Sequence, residues 1–407
     1  KYLKQRKRYD YTVVDLFGNV STTSTETAGV FNYASASQIL DLFAILGQPV
    51  PQVVEDDKIK KSAGENALKT YITEYPKTPL RRFIELVLKF REYEKLISTY
   101  GEKFLELLDE KGYIHTTYSQ CLTKTGRLSS LKPNLQNIPA TDLKKDGYDI
   151  RQYFLPDEGH VMVTCDMAGA EVRIAADYSK DEKLLASILK DEDLHSILAS
   201  KSYSIIFGKK VKVDKSDRLI EASGMTFKAR ELRDKHKSVL FAKFYKGGSK
   251  RVYEVLAEYI NLCHAEDQME IAGKISRAID KELPKLSKYL TSLIDKAQLD
   301  GQLRGSKLGR IRFFDSNVYG EAANYPIQNT NAEAMKIALV KLDKWFVETG
   351  YGRVVMTVHD EVVCSVMKEH VEECSNKIKE IMGNALGWFL DDIPGEASVV
   401  VTTHWKK

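Results

Sequence analysis

The sequence predicts an α+β chain in which a helical N-terminal region precedes a sheet built from two sequence-distant β-rich blocks with a helical insertion between them. Three observations predict it. Apolar side chains recur every three or four residues from Thr78 to Leu108, the period of an amphipathic helix. Val161-Met162-Val163-Thr164-Cys165 is a short run of strand character. Arg353–Val358 and Glu361–Val366 are two β-branched runs around the polar apex His359-Asp360, a hairpin pattern.

In chain order, Ser37–Leu46 reads as a helix ended by Gly47, and Pro49–Gly64 as a polar loop. The Phe83, Val87, Phe90, Tyr93, Leu96, Ile97, Tyr100, Phe104, Leu108 series predicts the long helix, so the first hundred residues are expected to be mostly helical. From Tyr113 the texture changes to short β-rich runs, returns to helix between about Glu182 and Lys296, and enters a second β-rich block near Leu308. No internal repeat or low-complexity tract interrupts this order.

Length and composition exclude several classes. With 407 residues, 43% apolar and 29% charged, the chain has the makeup of a soluble globular protein of roughly two to three domains. No stretch approaches the roughly 18 uncharged apolar residues of a membrane span, and basic Lys1–Arg8 has no apolar signal core behind it, so an intracellular protein without membrane association is expected. The cysteines Cys121, Cys165, Cys263, Cys364 and Cys374 contain no Cys-x-x-Cys pair, which predicts buried reduced thiols rather than zinc or disulfides. Because the chain begins at Lys1 rather than Met, a fragment or processed product is expected.

Net charge is only +4, yet Lys201–Arg251 carries 15 Lys/Arg against 5 Asp/Glu. Such a concentration suits a polyanion such as phosphate, although a solvated helix face has the same composition. Asp166 follows directly on the Val161–Cys165 run, and Asp360 sits at the apex of the later hairpin beside Glu361. If the two β blocks share a sheet, the two aspartates converge as hard oxygen ligands suited to Mg²⁺. Taken singly, an Asp after a strand is more often a turn or cap residue. Arg233, Lys237, Phe241 and Tyr245 recur at strict four-residue spacing, which drifts about 40° per step and keeps them on one broad helix face. Two cations followed by two aromatics fit a surface that grips a triphosphate at one end and stacks on bases at the other. Gly247-Gly248 is expected to end that helix.

These residues carry a family resemblance. Asp166-Met167-Ala168-Gly169-Ala170-Glu171-Val172-Arg173, the Arg233/Lys237/Phe241/Tyr245 series and Val358-His359-Asp360-Glu361 resemble, in order and spacing, the three polymerase motifs of family A DNA polymerases. Thr125-Gly126-Arg127-Leu128-Ser129-Ser130 with Pro133–Pro139, and Asn324-Tyr325-Pro326-Ile327-Gln328, resemble two further blocks. The resemblance runs from about Phe31 to the end. It implies a right-hand fold with a helical thumb over 1–110, an antiparallel-sheet palm over 111–175 and 308–407, and helical fingers over 176–307.

What the resemblance implies for chemistry is specific. Asp166 and Asp360 would bind two Mg²⁺ ions, with Glu361 beside them and Lys237 also catalytic. Arg233, Lys237 and His195 would bind the triphosphate of a deoxynucleotide. Glu171 would exclude a ribose 2′-hydroxyl, Phe241 would sense the sugar and disfavour dideoxynucleotides, and Tyr245 would stack near the templating base. Arg127 and Gln328 would check the minor groove of primer-template DNA, with Asn324 on the template side and His359 beside the primer terminus. The expected protein is a monomeric DNA polymerase using dNTPs.

Departures are expected to alter fidelity rather than abolish chemistry. Ala168-Gly169-Ala170 replaces the family's common Ser-Gln-Ile, and its central Gly is also similar to phage replicative members. Lys246 stands where Gly usually follows the fingers tyrosine, and Asn329 where Gly usually follows the glutamine. Val13-Val14-Asp15-Leu16-Phe17 lacks the second carboxylate of an exonuclease motif, so no proofreading is expected from this chain. Competing readings are a single-subunit RNA polymerase, which resembles His-Asp-Ser at the hairpin and lacks Glu171, a reverse transcriptase, a two-metal nuclease, and a noncatalytic DNA-binding relative.

Overall fold

The structure, a computed structural model, describes residues 8–14, 20–26, 31–55, 58–75, 77–139, 149–190, 192–264, 266–315 and 318–406. The upstream Asp15-Leu16-Phe17 segment lies outside the described residues. The chain forms two compact units, Lys1–Lys111 and Gly112–Lys407.

The first unit contains hairpin β1 (Arg8–Val14) and β2 (Val20–Glu26), helix α1 (Ala36–Ile45), hairpin β3 (Gln52–Glu55) and β4 (Lys58–Lys61), and helices α2 (Glu65–Glu74), α3 (Arg81–Tyr100) and α4 (Glu102–Leu105). Ser35 caps α1 by accepting from the Gln38 N–H, and Gly47 at φ +62° lies just past its end. Ile39 and Phe43 of α1, Leu68 and Tyr71 of α2, and Ile84 and Val87 of α3 form its core. Two expectations are corrected. The Pro49–Gly64 stretch forms the β3–β4 hairpin rather than a loop, because backbone pairing of so short a ladder requires no apolar alternation. The helix expected through Leu108 breaks at Gly101, where a Cβ would run into the Ile97 carbonyl.

The second unit opens with hairpin β5 (Thr117–Ser119) and β6 (Ser129–Leu131), followed by β7 (His160–Met167). Helices α5 (Ala170–Ser179), α6 (Glu182–Leu189) and α7 (Leu194–Phe207) come next, then hairpin β8 (Leu219–Ala222) and β9 (Met225–Lys228). After these run α8 (Ala229–Phe244), α9 (Ser249–Cys263), α10 (Gln268–Glu282), α11 (Pro284–Asp300), hairpin β10 (Gln302–Arg304) and β11 (Ile311–Phe313), and α12 (Tyr319–Thr349). The unit closes with β12 (Gly352–Val358), β13 (Glu361–Met367), α13 (Val371–Gly387) and β14 (Ala397–Thr402). Buried Asp181 ties the start of the insertion to its end, accepting from Lys183 N–H in α6 and from Lys285 and Leu286 N–H in α11.

The two β blocks do share a sheet, antiparallel throughout in the order β12-β13-β7-β14. Side chains alternate across it, so Val163 and Cys165 of β7 and Val362, Cys364 and Val366 of β13 share one face and join Ile378, Met382 and Leu386 of α13 in the core. Thr164 and Asp166 therefore point to the opposite face. The second β-rich block is nevertheless interrupted by the 31-residue α12, contrary to expectation. Pro326 inside that helix reads as a breaker, and burial of almost every residue from Ala322 to Met335 removes the polar stripe by which periodicity would reveal it. The cysteine expectation also needs amendment. Cys165, Cys364 and Cys374 are buried, but Cys263 is partly exposed and Cys121 exposed. Burial, with the neighbouring Asp166 charge, pushes the Cys165 thiol up to about 12. Among the described residues, no helix is long and apolar enough to cross a membrane.

Candidate active site

The site begins with the hairpin. Val358 pairs with Glu361, leaving His359 and Asp360 as a two-residue turn. Such turns favour Gly or Asn, yet His359 occupies the left-handed region at φ +57°, a conformation that costs a non-glycine residue about 1 kcal/mol. Strain of this kind persists where the surroundings hold it. β13 pairs with β7 so that Glu361 lies directly opposite Asp166, and the Met167 N–H donates to the Asp360 carbonyl at 3.2 Å. Asp166 on β7 and the Asp360 turn at the start of β13, which flank the whole helical insertion in sequence, are thereby neighbours.

Glu361 is turned elsewhere. It is 1% exposed and accepts a 2.7 Å hydrogen bond from the Trp405 indole N–H. The Arg151 guanidinium lies 3.9 Å from the centre of the Trp405 ring. Two carboxylates directly opposite on adjoining strands repel, and this arrangement draws one of them away. Trp405 and Arg151 carry no motif signal, and only the folded sheet brings them to the hairpin.

Two aspartates supply hard oxygen donors of the type Mg²⁺ takes. Among the described residues no group of three or more His, Cys, Asp or Glu side chains could hold a metal. Two carboxylates are a donor set that suits an ion taking its remaining ligands from phosphate and water.

Glu171 stands in the first turn of α5, which begins after Gly169 at φ +60°. No atom approaches a Cβ at that glycine, so the backbone conformation alone explains the residue in Ala168-Gly169-Ala170. Burial raises the Glu171 carboxyl, Arg127 opposes the shift through a 3.0 Å ion pair, and the nearby Asp360 charge adds to it. Tyr245 is tied to the same group. Its hydroxyl accepts from Gln328 Nε2, and burial, then Glu171, raise its pKa against Arg127, Asn324 and Gln328. Asn324 is buried on α12, one helical turn before Gln328.

Leu232, His236, Val239, Leu240 and Lys243 bury one face of α8, which leaves Arg233 and Lys237 at its edge and Phe241 and Tyr245 each 42% exposed. Lys237 pairs with Asp234 at 2.8 Å. Arg233 is less available than the sequence pattern implies, being clamped by Asp193 with Nε at 2.9 Å and a terminal nitrogen at 2.8 Å. Burial works to raise Asp193, but Arg233 and Ser196 outweigh it and hold the carboxyl well below the usual range. The clamp places His195 beside Arg233. Burial, then the Arg233 and Lys237 charges, lower its pKa, and its Nδ1 is buried without a hydrogen-bond partner.

The end of α8 differs from expectation. Lys246, not a glycine, takes the left-handed position at φ +54°. Its N–H donates to the Lys243 carbonyl and that of Gly247 to Ala242, the paired bonds of a Schellman cap. Lys246 Nζ donates to the Ser287 carbonyl at 3.1 Å and hydroxyl at 2.8 Å, which accounts for a lysine there.

The family described as DNA polymerase family A matches residues 5–407. DNA polymerase I of Helicobacter pylori (strain ATCC 700392 / 26695) is 29% identical over 398 residues, covering 94% of this chain and 39% of that protein. The thermostable DNA polymerase I of Thermus filiformis is 30% identical over 358 residues, covering 85% of this chain and 38% of that protein. The chain thus spans about two fifths of the length of these relatives. A solved POL domain of Pol1 from M. smegmatis, in complex with DNA primer-template and dNTP, superimposes with a TM-score of 0.73 at 28% identity over 92% of this chain and 61% of that one. With the family match running nearly end to end, this chain belongs to DNA polymerase family A.

Proposed function

We propose that this chain is a template-directed DNA polymerase that adds deoxynucleotides to a primer 3′-hydroxyl. The observation that carries the reading is the Met167 N–H to Asp360 carbonyl bond, which sets the Asp360 turn beside Asp166 at one end of the two central strands. From there Glu171, Arg127 and Tyr245 connect Asp360 electrostatically to the α8 stripe. In this reading residues 1–110 are the thumb, 111–175 and 308–407 the palm, and 176–307 the fingers. Primer-template DNA and dNTPs are the partners.

Family A enzymes are metal-dependent, and Asp166 and Asp360 would hold two Mg²⁺ ions. When bound, these lower the pKa of the primer hydroxyl and neutralise the departing pyrophosphate. The chain's own residues bind and orient. Arg233, its guanidinium plane fixed by Asp193, presents cationic charge to the triphosphate alongside Lys237. His195, whose pKa burial and then the Arg233 and Lys237 charges lower, presents its imidazole to the same phosphates. Phe241 packs against the sugar and Tyr245 near the templating base, while Glu171 fills the space a 2′-hydroxyl would need. Arg127 and Gln328 donate to minor-groove acceptors that every correct pair presents, with Asn324 and His359 beside them. Glu361, buried against Trp405, serves as a positioning residue for the hairpin.

Primer extension with Mg²⁺ on DNA and RNA templates, with dNTPs and rNTPs in separate lanes, tests the reading. Extension by dNTPs on DNA is expected. Asp360→Asn should lower incorporation at least about 100-fold while retaining primer-template affinity. Incorporation persisting at the parental rate would reject the metal role, and primer shortening would indicate a nuclease.

A further inference from the structure

Asn329 follows Gln328 on α12, so the two side chains leave the helix about 100° apart. Gln328 meets Tyr245. Asn329 points instead into a buried polar site between three segments and is completely inaccessible. Its Nδ2 donates to the Thr125 carbonyl at 2.9 Å and to Glu333 Oε1 at 3.4 Å, while its Oδ1 accepts from the Ser306 N–H at 2.9 Å. Glu333, also buried, accepts from the Ser306 hydroxyl and lies 3.7 Å from Arg310. A Cβ on Gly305 would collide with the Asn329 amide, so the backbone there has closed around this side chain.

The segment held by Thr125 is a tight turn leading to Arg127. The Gly126 N–H donates to the Thr123 carbonyl at 3.2 Å, and the Thr123 hydroxyl to the Arg127 carbonyl at 2.6 Å. Gly126 sits at φ +82°, where an added Cβ would lie 2.9 Å from Arg310 Nε and 3.1 Å from Asn329 Nδ2. The turn is therefore compact, and Asn329 binds it at the carbonyl two residues before Arg127. A buried amide with both ends engaged holds its neighbours more rigidly than a solvated contact could.

We propose that Asn329 is a positioning residue that fixes Arg127 relative to Gln328, so that discrimination between paired and mispaired primer termini runs through its side-chain amide. The inference rests on the reading of Arg127 and Gln328 as minor-groove contacts. It goes beyond that reading in naming the residue that sets their spacing. A glycine at this position would leave the Thr125 carbonyl and the Ser306 N–H without this link.

The test compares extension from matched and mismatched primer termini in the full chain for N329D, R127A and the double variant. N329D keeps the size and the acceptor for Ser306 but turns a carboxylate oxygen toward the Thr125 carbonyl and Glu333. Matched-terminus efficiency should fall about tenfold, and the matched-to-mismatched ratio should narrow with it. In the R127A background N329D should have no further effect. The proposal is overturned if the ratio in N329D equals the parental ratio, or if the two effects multiply. Should N329D fail to fold, N329S is judged on the same two criteria. An R127A variant with parental extension would instead overturn the minor-groove reading itself, which separates the two failures.

Discussion

Burial and Asp360 both raise the Glu171 carboxyl above its ordinary value, and Arg127 at 3.0 Å opposes them. A carboxyl group so placed is costly unless its position matters, which supports its proposed place beneath the nucleotide sugar. Glu171→Ala should reduce the preference for dNTPs over rNTPs by at least about tenfold, measured as the ratio of kcat/KM values. An unchanged ratio would remove Glu171 from sugar selection. At this scale the candidate residues Asp166, Glu171, Lys237 and Asp360 were legible because they lie in short local motifs. Asp193 as the clamp on Arg233 was not legible, since its effect depends on α7 packing against α8. Asn329 was visible only as a departure, without the partners that explain it.

Among the elements, the β12–β13 hairpin carries the strained His359 turn, and its stability depends on what backs Glu361. Trp405 supplies the indole donor, and its backbone N–H donates to the Phe154 carbonyl at 2.9 Å, fastening the segment after β14 in place. Trp405→Phe keeps most of the ring but removes the donor. It should lower stability by about 1–3 kcal/mol, seen as a reduced thermal midpoint, and an unchanged midpoint would show that the indole bond contributes nothing net. The hairpin was readable from two β-branched runs around a polar apex. The β3–β4 and β8–β9 hairpins and α12 were not, because short ladders, and a helix buried on nearly every side from Ala322 to Met335, lack the periodicity that marks amphipathic elements.

For the whole molecule, acid sensitivity follows from His236, buried in α8 and hydrogen-bonded to the Ser202 hydroxyl at 2.8 Å. Burial, aided by His195, lowers its pKa to about 3. An unfolded histidine titrates near 6.5, so the unfolded chain takes up the proton first as pH falls. The stabilisation is complete above about pH 6.5 and is lost progressively as pH drops toward the folded value. Between pH 7 and 5 the urea midpoint should fall, and fall less in His236→Gln. An equal fall in both proteins would assign the acid sensitivity to other groups.

The sequence by itself determined the chemical inventory and its order: two aspartates at strand ends, a helix bearing cations and aromatics four residues apart, and a hairpin apex. These follow from local spacing, and local geometry is fixed by the backbone periods of helix and strand. Only the tertiary structure decided which groups meet. The register of β13 on β7 set Asp360 beside Asp166, the packing of α7 on α8 gave Arg233 to Asp193, and the burial of α12 drove Asn329 into the Thr125 turn. Such pairings join residues far apart in the chain, and their energies arise from burial and desolvation that exist only once the core has closed.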